Sequence, residues 1–168
     1  MPAMPIDLSL TDENRLVEQS VRDFAAAEIE PHIAGWDARH EVHREVFARM
    51  GELGFLGAPI PEEYGGAGMD YVSLGILCEE LERADTAFRV AMSVHVGLNS
   101  LTLLQWGSED QKQRYLVPQA RGEKLATFGL TEPGVGTDAG NLATTARRDG
   151  DSYVLNGSKI WISLADIA

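Results

Sequence analysis

The residues best suited to chemistry lie near the end of the chain, in the loop Gly134-Val-Gly136-Thr-Asp-Ala139. Its G-x-G-x-x-A spacing matches a dinucleotide loop, but that use needs a helix N-terminus immediately afterwards to receive the pyrophosphate. The next segment, Asn141-Leu-Ala-Thr-Thr-Ala-Arg-Arg148, alternates and holds two threonines, so it predicts a strand and excludes that use. Glycines between strands still allow close backbone approach to another body and an anion-accepting nest of N–H groups. Thr131, Thr137 and Asp138 add hydroxyls and a carboxylate. An ordinary glycine turn is the alternative. Trp161 sits where alternation places it in a strand opposite that of the glycine loop. His40 and His43 have no third ligand nearby, and Cys78 is alone, so neither a metal site nor a disulfide is expected. No G-x-S-x-G, Walker A or H-E-x-x-H pattern is present.

These residues need elements to hold them. Ser9 to Asp12 fits a helix opening, followed by Leu16, Val17, Val21, Phe24, Ala25 and Ile29 at helical spacing, with Pro31 to end or kink it. A second helix is predicted over about 43–53, carrying Val46, Phe47, Met50 and Leu53, with Gly54 as its cap. A proline- and glycine-rich loop fills 57–68. Asp70 opens a third helix with Leu74, Leu77, Cys78 and Leu81. Asp85 or Thr86 opens a fourth, with Phe88, Ala91, His95, Leu98, Leu101 and Leu104 inward. Ser108 to Gln111 is a capping box for a fifth, ending near Gly122. From Leu125 the period changes to two. Strands are predicted over 125–131, 141–148, 153–155 and 158–163, with Asp149-Gly150 and Asn156-Gly157 as turns.

The fold class is therefore α+β: an N-terminal helical bundle over residues 1–122, then the first strands of an antiparallel β domain over 123–168. A partial sheet of at most four strands leaves edges and an apolar face open. The chain is accordingly expected to be the front portion of a larger protein, the alternative being a complete α+β protein of 168 residues.

The chain has 14 Lys and Arg against 26 Asp and Glu, a net charge of −12, which disfavours nucleic acid and anionic membrane as partners. Its opening residues show no basic stretch followed by an apolar one, so no secretory leader is expected. The most apolar helical stretch carries Arg89, His95 and Asn99, too polar for a membrane span. A cytoplasmic location is expected, or the mitochondrial matrix for a processed eukaryotic protein.

Two segments now accumulate into a family. Phe128-Gly-Leu-Thr-Glu-Pro-Gly-Val-Gly-Thr-Asp138 and Tyr153-Val-Leu-Asn-Gly-Ser-Lys-Ile-Trp-Ile-Ser163 resemble the two flavin-contacting signatures of acyl-CoA dehydrogenases. Pro61-Glu-Glu-Tyr-Gly-Gly-Ala-Gly68 and Gly107-Ser-Glu-Asp-Gln-Lys-Gln-Arg-Tyr-Leu-Val-Pro118 are similar to that family too. The resemblance implies FAD as cofactor and removal of two hydrogens across the α–β bond of an acyl-CoA. Phe128, Leu130, Thr131, Gly136, Thr137, Trp161, Ile162 and Ser163 are implied to bind the cofactor, with Thr137 also near the acyl-CoA. Thr137 and Ser163 replace the family's usual Ser and Thr and keep the hydroxyl. The catalytic Glu is implied to lie in a C-terminal helical domain, so no catalytic residue is assigned in this chain. Glu132 belongs to the flavin signature.

The resemblance also implies electron-transfer flavoprotein as acceptor and a homotetramer. The segment 80–94 is most similar to glutaryl-CoA dehydrogenases, in which an Arg and a Ser receive a second carboxylate. Arg89 and Ser93 stand four apart on one helix face and take those positions, although Val90 follows the Arg where that subgroup has Ser. The plain alternative is an Asp85–Arg89 helix ion pair. The expected function is thus dehydrogenation of a short-chain or dicarboxylyl acyl-CoA. A flavin oxidase of acyl-CoA or nitroalkane type and a non-catalytic helical interaction module are the competing readings.

Overall fold

A computed structural model describes residues 9–168; the opening residues read for a leader lie outside them. Helix α1 spans Asp12–Glu28, α2 Ile33–Arg39, α3 Arg44–Glu52, α4 Tyr71–Ala84, α5 Thr86–Trp106 and α6 residues 109–120. Strands β1 (Thr145–Asp149) and β2 (Ser152–Asn156) follow.

α1 is opened by Thr11, not by Ser9: the Thr11 hydroxyl accepts from Asn14 N–H at 3.1 Å, and the Asn14 side chain accepts from Thr11 N–H at 3.2 Å. Its buried stripe runs Asn14, Val17, Val21, Phe24 and Ala25. Leu16, expected inward, lies about 100° round the helix from that stripe and is exposed. Buried polar pairs fix α1 on α4. Asn14 Nδ2 donates to Ser73 Oγ at 3.0 Å, and Arg22 grips the buried Glu80 carboxylate with Nε at 2.8 Å and a terminal nitrogen at 2.9 Å.

Beyond Pro31 the chain forms α2, a helix that sequence periodicity did not reveal. Seven residues carry less than two full turns of pattern, and its large apolar contacts with the core are Ile33 and Trp36, the latter between His32 and His43. α3 buries Val46, Phe47 and Met50 as predicted, but Leu53, expected on that face, is exposed and is itself the C-cap, with Gly54 left-handed at φ +77° one residue later. Asp70 opens α4 by accepting Ser73 N–H at 2.7 Å, and Asp85 opens α5 by accepting Ala87 N–H at 2.6 Å. The core joins Val21, Phe24, Phe47, Met50, Leu77, Leu81, Phe88 and Met92 from α1, α3, α4 and α5. A smaller cluster of Ile60, Leu116 and Ala120 sits beneath the 57–68 loop.

α5 is not uniform. Residues Ser93–Ser100 form a π-helical stretch, whose wider turn shifts the later side chains from the expected stripe. Leu98, expected inward, is exposed. α6 contains a second such stretch, Lys112–Leu116, just before Pro118, which has no N–H to continue an α-helical ladder. By length and composition α5 could cross a membrane, contrary to expectation. Its His95, Asn99 and Ser100 nevertheless hydrogen-bond within the protein, as in a core helix.

The β region is smaller than predicted. β1 and β2 form one antiparallel hairpin, with Thr145 opposite Asn156 and Asp149 opposite Ser152 around Gly150 at φ +61°. Residues 125–131 and 158–163 are not strands. Alternation there finds no ladder partner among the described residues, and positive φ at Trp161 (+58°) and Leu164 (+63°) breaks the pleat.

Candidate functional site

The two signature segments lie side by side although neither is a strand. Ile160 N–H donates to Thr131 O at 2.9 Å, and the Lys159 ammonium reaches Leu130 O at 2.9 Å. The Thr127 hydroxyl donates to Ser163 O. This brings Phe128, Leu130 and Thr131 beside Trp161, Ile162 and Ser163, as the sequence required.

Glu132 is the brace. It is buried, and its carboxylate accepts from Ala143 N–H at 2.7 Å, Thr144 N–H at 3.0 Å and Lys159 Nζ at 2.8 Å. One side chain thereby ties the start of the glycine loop to its end and to the second signature. The Lys159 bond foremost, with the backbone N–H groups of Ala143 and Thr144, holds its carboxyl down to about 2. It therefore stays ionised and accepts only, unsuited to taking up a proton near neutral pH.

The surface so assembled has mixed character. Phe128 is 43% exposed, Leu130 38% and Trp161 87%. A bulky aromatic held at φ +58° and turned to solvent stores backbone strain, which persists where the surroundings impose it and clusters at ligand sites. Among the described residues, the hydroxyls of Thr131 and Ser163 hold no hydrogen bond. The glycine loop turns back through reciprocal bonds between Glu132 and Val135 and ends in the one-turn helix Ala139–Asn141, too short for a dinucleotide site. No atom lies within 4 Å of where a Cβ on Gly134 or Gly136 would stand, so the loop is open to close approach. Gly136 and the exposed Thr137 lie on it, set apart from Trp161 in the chain but linked to it through Glu132 and Lys159.

Ser163 also reaches a cleft of about 420 Å³ between α2, α3 and the start of α5. Trp36, Val42, Phe47, Phe88, Val90 and Ala91 make it mainly apolar, with Asp37, Glu41 and Asp85 at its polar margin. Arg89 and Ser93 do not line it. The Arg89 guanidinium pairs with Glu82 at 2.6 Å and not with Asp85, whose carboxylate is occupied in capping α5. The Ser93 hydroxyl donates to Arg89 O at 3.2 Å. The two residues share a face, as their spacing requires, but each already has a partner in the protein.

Sequence reasoning did not single out Lys159, Thr127 or Asn99. Their roles are backbone contacts across 29, 36 and 28 residues, which local pattern does not show. His95 carried a signal in being a polar residue on an otherwise apolar stripe.

Two family models match the chain: "Acyl-CoA dehydrogenase, N-terminal domain" over residues 11–123 and "Acyl-CoA dehydrogenase, middle domain" over 127–168. The short-chain specific acyl-CoA dehydrogenase of Clostridium acetobutylicum is 44% identical over 163 residues, covering 97% of this chain and 43% of that protein. A glutaryl-CoA dehydrogenase from Mycobacterium smegmatis, solved in complex with FADH2, superposes with a TM-score of 0.90 at 37% identity, covering 95% of this chain and 41% of its own. A solved structure described as the electron transferring flavoprotein of Acidaminococcus fermentans gives 0.93 at 40% identity, covering 97% and 43%. The chain thus spans less than half the length of these relatives.

Proposed function

The chain belongs to the acyl-CoA dehydrogenase family, and on that premise we propose that it supplies the helical wall and the first flavin-contacting segments of an FAD-dependent acyl-CoA dehydrogenase. The observation that carries this reading is the pairing of Phe128–Thr131 with Ile160–Ser163 through the Ile160–Thr131 bond at 2.9 Å. The residues fit the cofactor. Exposed apolar faces at Phe128, Leu130 and Trp161 suit one face of a flat ring, and the Thr131 and Ser163 hydroxyls suit its polar edge. The open glycine loop suits a phosphate-bearing chain.

When bound, FAD accepts the two electrons that leave the acyl α–β bond. The chain's own residues orient and shield. Trp161, Thr131 and Ser163 would hold the ring system, and Gly136 and Thr137 would receive the remainder of the cofactor and the acyl-CoA. Phe88, Val90 and Ala91 beside Ser163 form an apolar wall that excludes water from a short acyl chain. The proton-abstracting group is not assigned to any of these 168 residues, and the stretch alone is proposed to be inactive. The acceptor we assign is electron-transfer flavoprotein, supported by the 0.93 structural match, and the assembly a homotetramer in a soluble compartment.

A short-chain acyl-CoA is the substrate the apolar cleft supports best. The dicarboxylyl reading keeps one observation in its favour: Arg89 and Ser93 share a face of the helix whose Phe88, Val90 and Ala91 line the cleft. For that use Arg89 must exchange Glu82 for the substrate carboxylate. The complete protein should purify yellow and lose its flavin absorbance when mixed anaerobically with butyryl-CoA; a folded, colourless protein that takes up no FAD refutes the reading. Arg89→Ala should leave butyryl-CoA binding unchanged. If the dicarboxylyl reading holds, the same change costs roughly 1.5–3 kcal/mol for glutaryl-CoA, the value of a lost charged hydrogen bond.

A further inference from the structure

The segment that delivers Leu130 and Thr131 has no strand partner, yet its backbone groups are not left to water. We propose that His95 and Asn99, on the π-helical stretch of α5, are positioning residues for the flavin-contacting segments, a proposal that rests on the flavin reading above. His95 is 1% exposed. Its Nε2 meets Gln119 O at 3.0 Å, and its Nδ1 meets Ala126 N–H at 3.0 Å. A carbonyl can only accept and an amide N–H can only donate, so the proton resides on Nε2 and Nδ1 is bare. Four residues on, Asn99 Nδ2 donates to Thr127 O at 2.7 Å.

Two consecutive residues of the 125–131 segment are therefore gripped by one helix, and Thr127 passes the grip on. Its carbonyl is held by Asn99 while its hydroxyl holds Ser163 O, so the clamp reaches both signatures. The far side is anchored as well: Ser100 Oγ, against Gln119 Oε1 at 3.1 Å and His95 O at 3.1 Å, fixes the residue whose carbonyl His95 uses. The wider π turn lets Ser100 reach the carbonyl five residues back. These buried bonds replace the ladder that a strand would have supplied. They fall on Ala126 and Thr127, four and three residues before Leu130, close enough to set where its backbone stands.

The test uses the full-length protein, with and without FAD. His95→Gln keeps one donor and one acceptor on a carboxamide, whereas His95→Leu and Asn99→Leu keep neither. Both Leu variants should bind FAD about tenfold more weakly, the worth of roughly one net hydrogen bond, and should shift the visible bands of bound flavin. Amide exchange across residues 126–131 should quicken in the FAD-free Leu variants, and His95→Gln should restore every value. Asn99→Leu, less buried, carries the test where His95→Leu does not fold. Leu variants with unchanged exchange at 128–131 overturn the clamp, whether or not FAD binds. So do Leu variants that match the unmodified protein in FAD affinity and flavin bands. A colourless unmodified protein overturns the flavin reading instead, and the exchange data then judge the clamp by themselves.

Discussion

Two glycines inside helices make opposite predictions from one substitution. Replacing a mid-helix glycine by alanine removes backbone entropy from the unfolded chain and is worth about 1 kcal/mol in favour of the helix. Gly75, in α4, has nothing within 4 Å of the added Cβ, so Gly75→Ala should realise that gain in full. Gly51, in α3, faces the turn that leads out of α6. Its Cβ would stand 2.4 Å from Arg121 O, 2.6 Å from Gly122 Cα and 2.7 Å from Arg121 C, where ordinary contact begins at 3.4 Å. All three are backbone atoms and cannot rotate aside, and Gly122 is itself held at φ +73°. α3 and that turn must then separate by about an ångström, at an overpacking cost of typically 1–3 kcal/mol, which outweighs the propensity gain. Thermal unfolding by circular dichroism is the assay. At roughly 2–4 °C per kcal/mol for a chain of this size, Gly75→Ala should raise the midpoint by about 2–4 °C. Gly51→Ala should lower it by several degrees. Equal shifts of the same sign at both sites would refute the contact argument and leave propensity as the only effect.

Thr11→Ala, which deletes the capping box of α1, should cost about 1 kcal/mol, seen as a lower unfolding midpoint. Glu132 is held far below its ordinary value of 4.5, so its stabilisation is complete above pH 4.5 and declines as pH falls toward 2. Acid unfolding of Glu132→Gln should lack that component, and an unchanged acid profile would remove Glu132 as a brace. Burial pushes the His95 imidazole below its ordinary 6.5, so stability is whole above pH 6.5 and drops as pH falls beneath it. His95→Gln should flatten that slope relative to the unmodified protein. Trp161→Ala in the complete protein should weaken FAD binding without moving the unfolding midpoint of the FAD-free protein, since an 87% exposed side chain contributes almost no core.

The helical half was visible in the sequence because capping chemistry and a 3.6-residue stripe are local. Thr11 aside, Asp70, Asp85 and Ser108 cap where their types and spacing indicate. α2 and the π turns were not visible: seven residues carry too little pattern, and a π turn depends on bonds such as Ser100 to His95 O rather than on composition. The hairpin turn at Gly150 announced itself, but the segments around Leu130 and Trp161 alternate like strands and are not strands. Alternation reports which faces differ, and only a partner makes a ladder. The stretches 127–131 and 159–163 nonetheless lie side by side, because motif spacing outlasts a wrong assignment of local conformation. The charged contacts were harder. Asp85 was the nearer acid to Arg89 along the helix, and its commitment to the cap left the ion pair to Glu82, a distinction that needs the helix start placed to the residue.

The hairpin that leads into the second signature acts as a vernier. Five pairs, Thr145 with Asn156 through Asp149 with Ser152, set how far the chain has advanced when it returns toward Thr131. Only three residues separate Asn156 from Ile160, whose N–H meets Thr131. Deleting one residue of the Gly150 turn would advance everything after it by about 3.3 Å and turn each side chain to the opposite face. Lys159 would leave Glu132 and Trp161 would turn away from the surface it shares with Leu130, although no residue of either signature had changed. The spacing of a solvent-exposed turn is thus as much a part of the candidate site's specification as the exposed aromatic residue that the site displays.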